Sequence, residues 1–271
     1  MNPTRKKLPA VLLVLLLLTI SNTAIAQILK VDRRSVLKDT SDYWYGNVDF
    51  KLNINNNNAT PEQNLTFVGF NGSLDVNYAS KKHLYMLINN INYFTTGVGP
   101  FVSNGHVHFR TNWLRKRKLS YENYAQIQYD RGRNLQRRAL VGGGIKINFF
   151  QRDKSYFHAG TGVMYESELW KQFDGDITTV NLYKSSNYLG GVFEVSEHLN
   201  INLTYYYQTG YSEEFGKFLH RVSGDFNLLL KINEKLQYVT SFRIRYESQP
   251  IIPINNVVYL LENGLKIRLG R

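Results

Sequence analysis

Apolar and polar residues alternate with a period of two through most of this chain, and that pattern constrains its fold more than any other feature. "NVDFKLNI" sets Val48, Phe50, Leu52 and Ile54 on one face and Asn47, Asp49, Lys51 and Asn53 on the other. "HVHFRTNW", "LNINLTYYYQ" and "YVTSFRIRY" repeat the arrangement at 106–113, 199–208 and 238–246. Successive side chains of a strand point to opposite faces, so each stretch reads as a strand with one apolar and one polar side. Helical periodicity of comparable strength is absent. Several runs exceed the five or six residues usual for strands of soluble domains.

The turn signals between these runs divide the chain into twelve expected strands. They fall near 43–54, 64–78, 82–95, 102–114, 117–130, 135–149, 154–166, 178–194, 198–209, 217–231, 235–248 and 256–269. Their connections sort into two kinds. "ASKKH", "LRKRK", "FQRDKS", "VSEH" and "INEK" are short and charged. "NNNNATPEQ", "TGVGPFVSNG", "DRGRN", "SELWKQFDGD", "TGYSEEFGK" and "SQPIIPINN" are mostly longer, with more Gly, Pro and Asn; only "DRGRN" is out of character. An even number of strands, short turns on one side and long loops on the other is the pattern of a bacterial outer-membrane barrel. The expected fold class is therefore all-β, a transmembrane antiparallel β-barrel. A soluble lipocalin-like barrel would show the same alternation with its apolar face turned inward. Strand length, strand number and aromatic residues near strand ends (Tyr43, Trp44, Tyr45, Tyr93, Phe94, Phe149, Phe150) favour the membrane.

The N-terminus reads as an export signal. Arg5, Lys6 and Lys7 precede the thirteen apolar-rich residues "LPAVLLVLLLLTI", and Ala24 and Ala26 occupy the small-residue cleavage positions. The expected division is a signal peptide at 1–26, a periplasmic segment at 27–42 and a barrel at 43–271. The 271 residues contain no cysteine, so packing and backbone pairing must hold an exported chain together. Loss of the signal lowers the formal charge from +12 to +9. For an exported protein that balance points to anionic lipid headgroups and lipopolysaccharide rather than nucleic acid, or equally to basic residues that only solvate turns and a lumen.

The chain closes on "ENGLKIRLGR". Glu262, Gly264, Ile267 and Leu269 resemble the C-terminal insertion signal of outer-membrane barrels, with Leu269 where an aromatic residue is commoner. The resemblance implies capture of this strand by the barrel-assembly machinery through edge pairing. The hairpin "ENYAQIQYDRGRNLQRRALVGGGIKINFF" (Glu122 to Phe150) places Asp130, Arg137, Arg138 and Gly142 to Gly144 at spacings that resemble the salt-induced outer-membrane protein (YdiY-like) family. That resemblance implies an outer-membrane barrel and says nothing about catalysis.

Outer-membrane phospholipases, also twelve-stranded, carry a nucleophilic Ser two residues after its His base. Here "FVSNGHVH" has Phe101 where that base would stand, with His106 and His108 only downstream of Ser103. A Ser hydroxyl without an adjacent base is a poor nucleophile, so no catalytic residues are expected. His106 and His108 form at most half a metal site, and Arg110 beside them repels a cation. No cofactor motif is present.

With the apolar face outward, the lumen receives Asp49, Asp75, Arg110, Glu122, Arg138, Lys146, Arg221, Asp225, Arg243, Arg245, Lys266 and Arg268. Cations predominate in this set. Either the charges pair across the lumen and make a rigid structural barrel, or a water path survives and favours anions. A lipid-modifying enzyme and a surface adhesion or scaffold barrel are the alternative functions. The last rests on loops such as "ESELWKQFDGD", in which Trp170 reads as exposed.

Overall fold

The computed structural model describes residues 42–55, 67–96, 99–152, 155–233 and 236–267. The expected signal peptide with Ala24 and Ala26, nearly all of 27–42, and Arg268 and Leu269 lie outside the described residues, as do the side chains of Asp49, Glu262, Lys266 and Ile267.

Twelve strands follow one another: β1 (Tyr43–Asn55), β2 (Phe67–Ala79), β3 (Leu84–Thr96), β4 (Gly99–Trp113), β5 (Leu119–Asp130), β6 (Leu135–Gln151), β7 (Tyr156–Lys171), β8 (Ile177–Ser196), β9 (Leu199–Ser212), β10 (Lys217–Lys231), β11 (Leu236–Glu247) and β12 (Val257–Ile267). A 3-10 turn at Arg131–Arg133 joins β5 to β6. Each strand pairs antiparallel with its sequence neighbours in one twelve-stranded meander. Among the described residues β1 and β12 do not pair with each other. No described helix is long and apolar enough to cross a membrane. Every strand has the nine to eleven residues that a tilted strand needs to cross a bilayer.

The sheet is rolled with its polar face inside. Arg245 on β11 lies 3.8 Å from Asp130 on β5. Six strand spacings of about 4.8 Å would hold these residues roughly 29 Å apart on a flat sheet. Only curling brings them together. Burial runs opposite to that of a soluble barrel. Glu166 and Arg138 are 1% and 3% exposed, whereas Val163 and Tyr183 are 70% and 80% exposed. The exposed set continues through Val48, Phe50, Leu52, Ile54, Val107, Ile127 and Val141. A soluble monomer rarely shows a contiguous apolar patch beyond a few hundred Å². This one covers the outer wall.

Aromatic rings ring the outer wall near both ends. On the side of the short turns, Trp44 meets Tyr78 at 4.8 Å, Tyr78 meets Tyr85 at 6.1 Å and Tyr85 meets Trp113 at 5.9 Å between centroids. Phe149, Phe157 and Phe193 continue that belt. On the side of the long loops, Tyr165 meets Tyr183 at 5.1 Å and Tyr211 meets Phe218 at 5.3 Å. Polar residues on the outer wall bond sideways to the neighbouring strand. Asn263 accepts from the hydroxyls of Tyr238 and Thr240 at 2.9 and 2.8 Å, and Thr161 donates to Asn187 at 2.7 Å. Such pairing is what polar groups need where no water can serve them.

The mouth on the loop side is covered by apolar side chains. Ile252, from the β11–β12 connection, is buried against Leu135 and Trp170, with Ile251 and Ile254 beside it. Ile251 also touches a second group, Val180, Leu182 and Leu219. Trp170, read from the sequence as an exposed loop residue, is instead 1% exposed on the inner face of β7. The strand runs on past the expected turn, and position 170 keeps the inward parity of 166 and 168.

Candidate functional site

Beneath the apolar cover, inward positions of β6, β7, β8, β10 and β11 deliver a charged layer. Period-two geometry puts Glu166 and Glu168 side by side on the inner face of β7. Arg221 reaches both from β10, with Nη1 2.7 Å from Glu166 and Nη2 2.7 Å from Glu168, while its Nε donates to Glu247 at 3.1 Å. Arg138 on β6 also binds Glu168 through Nε and approaches Glu247 to 3.5 Å. Lys184 on β8 binds Glu166. Trp170 donates its indole N–H to Glu168 at 2.9 Å. Arg133 at the mouth comes within 3.8 Å of Glu247. Each carboxylate of this layer thus faces at least two cations, which is the condition under which buried charge is tolerable.

Deeper in the barrel, Arg110 on β4 sits between two rings. Its guanidinium lies 5.4 Å from the Tyr124 centroid and 5.7 Å from that of Tyr188, within the range of a cation–π contact. Glycines on the inner wall make room for these rings. A Cβ at Gly142 would stand 2.7 Å from the Tyr124 ring, and one at Gly160 would stand 2.1 Å from the Tyr188 ring. Glu122 accepts from Tyr188 and, at 3.2 Å, from the Asn112 amide. His108 hydrogen-bonds Gln126 at 2.8 Å through Nδ1.

Of the residues expected to face the lumen, Arg110, Glu122, Arg138, Lys146, Arg221, Asp225 and Arg245 are buried within the barrel. Arg138 and Arg221 belong to the charged layer, and Arg245 reaches Asp130. Arg243 is half-buried, 3.8 Å from Asp225 on the adjacent strand. Asp75 is half-buried on β2, far along the sheet from the layer. Sequence reasoning missed Glu166, Glu168, Glu247, Asp130 and Lys184 as interior charges. With them, among the described residues, six buried cations (Arg110, Arg138, Lys146, Lys184, Arg221, Arg245) face six buried carboxylates (Glu122, Asp130, Glu166, Glu168, Asp225, Glu247). The predominance of cations expected from the sequence therefore shrinks to near balance among the fully buried residues.

Ser103 has outward parity on β4, whereas His106 and His108 have inward parity. The sheet separates this hydroxyl from either imidazole, so they form no nucleophile–base pair. Among the described residues no group of three or more His, Asp or Glu is placed to hold a metal ion.

An antiparallel meander rolled with charge inside and an aromatic-edged apolar wall outside has the polarity of the membrane-barrel class. The match to family models is more specific. Residues 64–251 fit the model described as "Protein of unknown function, DUF481", and the chain belongs to that family. Comparison with curated proteins gives no match. Among solved structures the chain is similar to one titled "NanC porin structure in rhombohedral crystal form", at 9% identity and a TM-score of 0.44, over 74% of this chain and 94% of that one.

Proposed function

We propose that this protein is a non-catalytic β-barrel of the bacterial outer membrane, acting as a structural envelope component whose lumen is closed on the loop side. The observation that carries this reading is the charged layer. Arg138, Arg221 and Lys184 join three carboxylates from β7 and β11 across the interior, and Ile252 covers that layer from above. An open passage would need water where these side chains meet. The apolar wall and its aromatic edges support the membrane. The export-signal pattern, the insertion-signal pattern and the even strand number support the outer one. Outer-membrane lipid and lipopolysaccharide are then its immediate partners, and the assembly machinery its partner during insertion. The hairpin from Glu122 to Phe150 supports a finer placement among salt-induced outer-membrane proteins. That placement expects protein levels to rise with external sodium chloride.

A narrow pore is the second reading. It is favoured by one observation, the arginine side chains that line a gap below the charged layer. Two measurements on the same refolded material decide. Heat-modifiable migration and recovery only in the detergent phase are expected. A folded species stable in buffer without detergent overturns the membrane reading. Planar bilayers are expected to stay nearly silent. Steady, anion-selective conductance by the unaltered protein replaces the closed barrel with the pore.

A further inference from the structure

We infer that the gap between the charged layer and Arg110 is a binding site for one small oxyanion, of the phosphate or sulfate kind. The inference goes beyond the structural role and holds whether or not the barrel conducts.

The gap is an interior cavity of about 100 Å³. A water molecule's share of liquid volume is about 30 Å³, so the space suits a tetrahedral ion and excludes a lipid headgroup with its chains. Arg110, Arg138, Arg221 and Arg245 all contribute to its wall, with His108 and Tyr124, and among the described residues no carboxylate lines it. Arg138 and Arg221 are paired with glutamates of the layer and Arg245 lies 3.8 Å from Asp130, so the attraction for an anion centres on Arg110 and on the guanidinium edges that face the gap. Among the described residues the fully buried charges balance, six against six, but they are sorted. Glu166, Glu168 and Glu247 engage Arg138 and Arg221 in the layer, away from the gap. Glu122 shares a smaller neighbouring void with Arg110 rather than this one.

The donors left over point the same way. Nε and Nη1 of Arg110 and Nε of Arg245 are buried and have no hydrogen-bond partner among the described residues. Arg110 and Arg245 are 4% and 6% exposed. A buried guanidinium N–H without an acceptor is costly. A single oxyanion offers several acceptors at once, and the planar fork of Arg suits it better than the point charge of Lys. Tyr124 and Tyr188 hold the Arg110 guanidinium in place from two sides, so little ordering remains to be done when an ion arrives.

The test is a calorimetric titration of inorganic phosphate into the full-length protein refolded in detergent, at constant ionic strength set with sodium chloride. One saturable site per chain is expected, with a matching rise in the thermal unfolding midpoint that equimolar chloride does not produce. Arg110→Gln and Arg245→Gln each weaken binding by roughly tenfold or more, whereas Arg137→Gln, on the exposed outer wall, leaves it unchanged. Sulfate competes with phosphate. Absence of saturable binding to the unaltered protein overturns the site. Binding that survives Arg110→Gln and Arg245→Gln in heat-modifiable, folded material also overturns it. Should either variant fail to fold, the phosphate-dependent unfolding midpoint of the unaltered protein still decides. Conductance with saturable binding would refute the closed barrel alone. A silent barrel without binding would refute the site alone.

Discussion

Arg138 on β6 and Glu247 on β11 approach to 3.5 Å although four strands lie between them along the sheet. Contacts of this kind tie opposite walls together, and they make the charged layer a structural brace. Glu166 is one of its two carboxylates that face three cations, Arg221 at 2.7 Å, Arg138 at 3.6 Å and Lys184. Removing one member of a buried ion network strands its partners, at a cost of about 3–5 kcal/mol. Glu166→Gln is therefore expected to lower stability by that order in urea unfolding from detergent micelles. Glu166→Met combined with Lys184→Met should cost clearly less than the sum of the two single changes. Additive losses would show that the two residues do not act as a pair.

The outer wall yields a prediction that separates lipid from water. Val163 lies mid-strand on β7 and is 70% exposed. In water, Val163→Arg at so exposed a position would be nearly neutral. In a bilayer, an Arg facing the mid-plane costs about 2–4 kcal/mol. Folding into lipid vesicles, monitored by heat-modifiable mobility against urea, should show the larger loss. A variant as stable as the parent would mean that this face does not meet hydrocarbon.

How far the sequence discloses this arrangement can be argued strand by strand. β10 occupies 217–231, as its alternation predicts, because a strand with one wet and one apolar face cannot slip by one residue without exchanging them. The error at β7 is instructive. Its expected end at 166 falls five residues short of Lys171, because "SELW" looks like polar loop when read alone. Yet Met164, Glu166, Glu168 and Trp170 keep one parity throughout, and that parity was the available signal. No local signal could have said that Glu168 meets Arg221. The two are 53 residues apart, and strand order, register and curvature together decide their meeting. Ile251 and Ile252 did leave a trace, an apolar pair between Pro250 and Pro253, followed by Ile254, in a connection whose ends are polar. Whether that pair turns in or out is settled by Leu135 and Trp170, not by its neighbours in sequence.

Two glycines should answer oppositely to the same change. A Cβ on Gly144 would lie 2.3 Å from the backbone oxygen of Thr161, where β6 and β7 approach closely at the Gly144–Gly162 pair. Backbone cannot yield as a flexible side chain can, so Gly144→Ala is expected to reduce the yield of folded barrel sharply in vitro. A Cβ on Gly264 meets nothing within 4 Å, and Gly264→Ala should refold normally. In cells the second variant tests the C-terminal insertion signal, because its defect would appear in assembly and not in refolding. Equal yields from both variants, in vitro and in cells, would remove both arguments.

The last prediction concerns the cover over the mouth. Ile252 is 2% exposed and fits between Leu135 and Trp170, while Ile251 links that group to Val180, Leu182 and Leu219. Hydrogen bonds from Lys217 to Gln249 and from Arg133 to the Asn255 carbonyl tether the ends of this connection, and apolar burial, worth about 1.5–3 kcal/mol for a single side chain, holds its middle inward. Ile252→Asp replaces that gain with the cost of burying a carboxylate against an indole and two aliphatic groups. The connection should then leave the mouth while the strands, held by the charged layer below, stay paired. Single-channel recordings are expected to show brief openings in Ile252→Asp that the parent lacks, with heat-modifiable mobility unchanged. Deleting 250–253 should act in the same direction. If the parent conducts as freely as the variant, the cover does not close the barrel, and the charged layer alone sets its permeability.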